Sequence, residues 1–261
     1  MNVPLAFLRS WIALALLSSI GGVLSAHAGD RVPLVGTGPQ APASRPSVMS
    51  GQTGQIVPID PEQVPCKHAT SFSKIDGGPT PGTNYDDVLN VGALYFAERF
   101  AGQSASPSGD FDAISGSPTK PLQLQAGEPG QNLDVFDYSG NVLAGLGHLG
   151  YKDIDAIGEG SIAIYFPDAQ SKVKLSLVGG NGGDATLTFY REDGSLIDEV
   201  VVSNLGDLSY GFGTLDESHS IAGILIQNTD ESGIGVTEIC YDTFVTSADR
   251  ITWGSLKRLF R

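Results

Sequence analysis

The residues best suited to chemistry in this chain are carboxylates at a repeated spacing. Asp110-Phe-Asp-Ala-Ile114 and Asp153-Ile-Asp-Ala-Ile157 share the pattern D-x-D-A-I, 43 positions apart. In a strand, residues i and i+2 point to one face. Asp110 with Asp112, and Asp153 with Asp155, would then each present two hard oxygen ligands together, which suits Ca2+ and does not suit Zn2+. These four are the candidate metal ligands; the plainer alternative is a solvated acidic face with Ile114 and Ile157 turned into the core. Gly179-Gly-Asn-Gly-Gly-Asp-Ala-Thr-Leu187 comes close to a Ca2+-binding nonapeptide. It occurs once where stacked turns need several copies, and Thr186 fills a slot that wants a large apolar residue, so it reads as a glycine-rich loop. Gly145-Leu-Gly-His-Leu-Gly150 matches G-x-G-x-x-G, but no helical pattern follows it to receive a phosphate, and a turn is expected.

No catalytic set assembles from the remaining residues. Beyond the first 28 residues the histidines are His68, His148 and His219, with no H-E-x-x-H, no G-x-S-x-G and no C-x-x-C. A glycosidase needs two carboxylates, but with 29 acidic residues in the chain some pair can always be found on paper, so that argument carries no weight. The expectation is a noncatalytic protein. A net charge of -14 repels nucleic-acid phosphates and anionic membrane surfaces, which excludes partners that need a basic footprint. Sugar-binding platforms favour aromatic faces, and Trp253 is the single tryptophan after Trp11. Tyr138, Tyr151, Tyr190 and Tyr210, near the ends of expected strands, are therefore the candidate ligand-binding residues of a loop-built site.

The elements that must position these residues follow from composition along the chain. Arg9 precedes a short apolar stretch from Trp11 to Leu17, and Ala26-His27-Ala28 has small residues where a signal peptidase reads them. Residues 1–28 are expected to be a signal peptide cleaved after Ala28, because Ser18, Ser19, Gly21 and Gly22 break the run short of a membrane span. The protein is accordingly expected to be secreted, extracellular or at the cell surface. Residues 29–60, with Pro33, Pro39, Pro42, Pro46 and Pro58, are expected to form a disordered Pro/Gly-rich linker. Residues 246–261 read as a C-terminal amphipathic tail carrying Trp253, Leu256, Leu259 and Phe260, either docked on the domain or acting as a sorting or anchoring signal.

Between them, residues 61–245 show short alternating segments broken by Gly, Asn and Asp, the mark of an all-β domain. Lys172 to Val178 alternates most clearly, and Asp184 to Tyr190 repeats the pattern before a turn at Arg191-Glu-Asp-Gly194 that returns as Ser195 to Ser203. Further strands are expected at 93–100, 121–125, 133–138, 161–166, 220–227 and 235–244, and this number at this spacing implies a sandwich. The chain has two cysteines, Cys66 and Cys240, 174 positions apart. In an oxidising compartment the pair is expected to bridge, clamping the start of the domain to its last strand; the competing arrangement is a buried free thiol at Cys240 with Cys66 pairing between chains.

Ser161-Ile-Ala-Ile-Tyr-Phe166, the hairpin Phe189 to Ile197, Ile221-Ala-Gly-Ile-Leu-Ile226 and the closing run Gly233 to Asp242 together resemble the galactose-binding-like jelly-roll modules of secreted bacterial proteins. The resemblance implies a jelly-roll-like antiparallel β-sandwich and a noncatalytic binding or adhesion role, often with a structural Ca2+. In such modules the last strand often carries two adjacent acids; here Thr237 and Glu238 keep one. The combined expectation is a secreted binding module for an extracellular glycan or a cell-surface or matrix component, Ca2+-stabilised, with a structural adhesion protein or a secreted hydrolase as alternatives.

Overall fold

The computed structural model describes residues 47–48 and 51–242; Ala28 with the proposed signal peptide, most of the expected linker and the tail 246–261 lie outside the described residues. In chain order the strands are β1 (Ser47–Val48), β2 (Ile56–Ile59), β3 (His68–Ser71), β4 (Thr83–Tyr85), β5 (Leu89–Val91), β6 (Leu94–Ala97), β7 (Arg99–Phe100), β8 (Ser104–Ser108), β9 (Phe111–Ser115) and β10 (Leu124–Gln125). They continue as β11 (Leu133–Asp137), β12 (Asn141–Leu146), β13 (Ile157–Gly160), β14 (Ile162–Gln170), β15 (Lys172–Val178), β16 (Asp184–Tyr190), β17 (Leu196–Ser203), β18 (Leu208–Thr214), β19 (Ile221–Asn228) and β20 (Gly235–Tyr241). Among the described residues no α-helix forms, only single 3-10 turns at Pro61–Gln63 and Ile154–Ala156.

Two antiparallel sheets make the sandwich. One runs β1-β17-β16-β19-β14-β6-β5; the other runs β2-β18-β15-β20-β12-β11-β4, with β13 added on β12 and β3 on β20. Alternation decides what lies between them. Val173, Leu175 and Leu177 of β15 and Ala185, Leu187 and Phe189 of β16 all enter one central core, which also takes in Phe96, Phe166, Phe212, Ile224 and Ile239. The outer faces are not left bare. On the nine-stranded sheet Phe136, Val142, Ala144, Leu146, Ala156 and Ile157 make a second cluster, and on the seven-stranded sheet Phe100, Leu122, Ala163, Tyr190, Ala222 and Leu225 make a third.

The expected linker ends earlier than its composition suggests. Ser47 and Val48 pair with Ser203 and Val202, and Ile56 to Ile59 pair with Thr214 to Gly211, with Ile56 in the central core. The physical reason is local. The Asp198 carboxylate is fully buried and accepts hydrogen bonds from the backbone N–H groups of Thr53 (2.8 Å), Gln55 (2.9 Å) and Ile56 (3.0 Å). Gly51 lies where a Cβ would collide with that carboxylate, and Gly211 where a Cβ would press on the Ile59 carbonyl, so the segment can approach closely at both places. Gly51 thus serves docking, and residues 51–59 lie against the sandwich although their composition reads as linker.

Cys66 and Cys240 form a disulfide with a Cα–Cα distance of 4.8 Å, and no free cysteine remains. It sits at the mouth of the pairing between β3 and β20, where Ala69 faces Cys240. The link clamps the chain near its start, but β1 and β2 already precede it. For a loop of 174 residues the chain-entropy model gives an upper contribution of about 5 kcal/mol. Reduction is therefore expected to lower the melting temperature, and intact-mass analysis should find two alkylatable thiols only after reductant is added.

Burial alone would push the Asp198 carboxyl up, but the N–H groups of Ile56, Thr53 and Glu199 overcome it and hold it below the ordinary range. A lowered folded-state pKa contributes stability that is present above the unfolded value, near 4, and is lost as pH falls through the folded value. Acid should accordingly loosen 51–59 first. Asp198→Ala should cost roughly 2–4 kcal/mol, since it orphans backbone donors. Hydrogen exchange in β2, measured against exchange in β15, checks both outcomes.

Candidate functional site

The outer face of the seven-stranded sheet is built by register. Tyr95, Tyr165 and Gly223 stand side by side across β6, β14 and β19, and Tyr190 faces Gly223 from β16. The neighbouring row runs Ala97, Ala163, Leu225, Thr188 and Glu199, and the next pairs Gln227 with Thr186. Small residues fill the middle of this face. A Cβ on Gly223 would collide with Phe100 and Leu122, so the chain after β6 crosses the sheet there, anchored by those two side chains.

That crossing divides the face into two concave regions. On one side Tyr95, Tyr165, Val88, Pro121, Leu124 and Glu192 line an open groove of about 460 Å3. Tyr95 is 39% exposed and Val88 42%, and the two tyrosine rings stand 6.4 Å apart at 52°. On the other side, beneath the β8–β9 hairpin, Asp112, Asp184, Thr186, Glu199, Gln227, Asn228 and Thr229 line a polar cavity of about 320 Å3. A smaller space of about 230 Å3, with Gln103, Thr188 and Tyr190, shares Glu199 and Gln227 with it. The first region is an aromatic shelf with one carboxylate at its rim; the second is a channel of amides, hydroxyls and acids.

The expected metal ligands are not arranged by the strand logic that suggested them. Asp110 lies in the turn before β9, and Asp153 and Asp155 belong to the 3-10 turn before β13, where the Asp153 side chain accepts from the Asp155 N–H. Neither D-x-D segment is a strand presenting two acids on one face. Among the described residues, the group of three or more His, Cys, Asp and Glu ligand atoms that gathers within 4.8 Å is Cys66, Glu238 and Cys240, and its sulfurs are joined to each other. Asp112 itself is buried. Burial pushes its carboxyl up to about 6, against the opposing pull of His148 and Arg99. Arg99 is meanwhile ion-paired with the buried Glu98.

The candidate tyrosines scatter. Tyr190 is buried against Phe100 and takes a hydrogen bond from Gln103, and Tyr210 lies in the central core. Tyr138 and Tyr151 pack on the outer cluster of the nine-stranded sheet, with the Tyr151 hydroxyl donating to the Gly82 carbonyl. Tyr210 thus packs in the interior, while Tyr190, though buried, also lines the space of about 230 Å3 beside Gln103 and Thr188. The pair that the structure does bring to an open groove, Tyr95 and Tyr165, was detectable. Each stands between two large apolar residues, Leu94 and Phe96 or Ile164 and Phe166, so alternation points it outward.

The two glycine motifs resolve as loops. Residues 147–150 close a turn, while Gly145 lies within β12, where a Cβ would strike the Gly160 carbonyl. In 179–183 the Asp230 carboxylate accepts from the N–H groups of Asn181 and Gly183. No protein-family model, curated protein or solved structure matches the chain, so fold and surface chemistry carry the functional argument.

Asp112 generates a pH prediction. An acid whose folded pKa is raised destabilises the protein as it ionises, so stability falls as pH rises from the unfolded value near 4 through about 6. Asp112→Asn should reduce the fall of the melting temperature between about pH 4 and 6, leaving the part that Asp134 contributes. An unchanged slope would assign the dependence to other groups.

Proposed function

We propose that the protein is an extracellular, noncatalytic binding module with a jelly-roll sandwich, and that it holds a glycan of the surrounding matrix or cell surface on the outer face of its seven-stranded sheet. The observation that carries this reading is the cross-strand pair Tyr95 and Tyr165. Two half-open rings on adjacent strands offer the flat apolar area against which a sugar ring packs its C–H face, and Gln123 and Glu192 at the rim offer hydrogen-bond partners for hydroxyls. The amide- and hydroxyl-lined channel beyond the crossing segment continues the same face and suits a ligand longer than one ring. The disulfide fits an oxidising compartment, and among the described residues no helix is long and apolar enough to cross a membrane.

A glycan array probed with the disulfide-intact protein tests the proposal. Retention on polysaccharides is expected, weakened on the order of tenfold by Tyr95→Ala or Tyr165→Ala, the loss of one stacking face being worth roughly 1 kcal/mol or more. Tyr138→Ala, on the other sheet, should leave binding unchanged. An array with no response would favour the structural adhesion reading, in which this face packs on protein.

A further inference from the structure

The residue with the least account of its charge is Asp134, on the outer face of the nine-stranded sheet. Its neighbours Leu133 and Val135 enter the central core, so alternation sends Asp134 the other way. There it is wholly buried, and both carboxylate oxygens lack a hydrogen-bond partner. Directly across the β4–β11 pairing stands Asn84, whose Oδ1 is also buried without a partner. Gly82 closes over the acid: its φ is +87°, and a Cβ there would collide with the carboxylate. The Tyr151 hydroxyl ties the Gly82 carbonyl in place at 3.0 Å. Tyr85, the next residue of β4, feels the fields of both Asp76 and Asp134. Among the described residues no Lys or Arg forms an ion pair with Asp134.

Three oxygen acceptors are thus enclosed together with no side-chain donor bonded to any of them, and the nearby Val135 N–H eases the charge of Asp134 only in part. An isolated carboxylate is costly to bury, and such groups are paired, bound to a metal, or protonated. From this enclosure we infer that Asp134 and Asn84 form a site for a hard divalent cation of the Ca2+ class, capped by the Gly82 backbone. Oxygen ligands and a carboxylate that can bind through one or both atoms are what such a cation takes, with main-chain carbonyls and water completing its shell. The site is separate from Asp110, Asp112, Asp153 and Asp155, and separate from the tyrosine groove.

The metal-free protein should carry the cost of the buried acid. Burial pushes the Asp134 carboxyl up to about 8, the Val135 N–H offsetting only part of it. With the folded pKa raised, stability falls as pH rises from near 4 through about 8. A cation competes with that proton, so its stabilisation should grow over the same range and its binding should release a proton near neutral pH.

The test uses the full disulfide-bonded chain. Millimolar Ca2+ should raise the melting temperature by about 5 °C or more at pH 8, by the linkage of a ligand well above its dissociation constant, and by less at pH 5. Tb3+ in place of Ca2+ should show tyrosine-sensitised emission, since Tyr85 adjoins the site. Asp134→Asn, nearly equal in shape, should abolish both signals. Asn84→Asp, which adds a carboxylate, should keep or strengthen them, and it guards against a variant that merely fails to fold. No response of the parent protein to Ca2+ or Tb3+ would overturn the site, as would a response that survives Asp134→Asn. So would an Asn84→Asp variant that is destabilised and not rescued by Ca2+, because Asn84 would then be donating its amide to a protonated Asp134.

Discussion

Gly223 has no side chain because Phe100 and Leu122 occupy the space above it, and much of the molecule's outward chemistry depends on that contact. Sheets of seven and nine strands bury one face each against the other, which leaves two broad outer faces with apolar residues still to cover. On the seven-stranded sheet the cover is the chain between β6 and β11, and it can lie flat only where the sheet presents Gly223, Ala163 and Ala222. Side chains beyond its edges stay open. A larger residue at 223 would lift the crossing segment and merge the aromatic groove with the polar channel, removing the walls that give each its shape.

Elements with strong alternation and no glycine were legible in the sequence almost to the residue. Lys172–Val178 and Asp184–Tyr190 have the expected bounds, and the Arg191–Gly194 turn closes through the Gly194 N–H with Gly194 at positive φ. The strands that were not legible fail for identifiable reasons. β8 is Ser-Ala-Ser-Pro-Ser and exposed throughout, so it has no apolar period to read. β12, β13 and β18 place glycines at Gly145, Gly160 and Gly211, where a neighbouring backbone comes too close for a Cβ, and glycine in a sequence is read first as a turn. β2 is a strand because Asp198, far away in sequence, supplies acceptors for its approach.

Site residues divided in a similar way. The cysteine pairing followed from number and compartment, which do not depend on geometry. The D-x-D acids depended on an assumed strand at each motif, and a turn at one and a 3-10 turn at the other removed the common face. The four tyrosines near strand ends are spread over both sheets, whereas place within the alternation brings Tyr95 and Tyr165 together at an open groove.

Three other buried acids show how a carboxylate out of water is held. Asp198 is held by backbone N–H groups from the docked segment, and Asp230 accepts from Asn181, Gly183 and Ser232. Asp242 accepts from the Ser171 backbone and hydroxyl. In each case the acid gathers a loop, because a carboxylate out of water must be surrounded by donors and loop backbones have donors to spare. Asp134 is on a strand, where the Val135 N–H eases its charge only in part, and Gly82, which closes over it, follows prolines at 79 and 81 that have no N–H to give. A cover poor in donors solvates an anion badly, which is the ground for proposing a cation there.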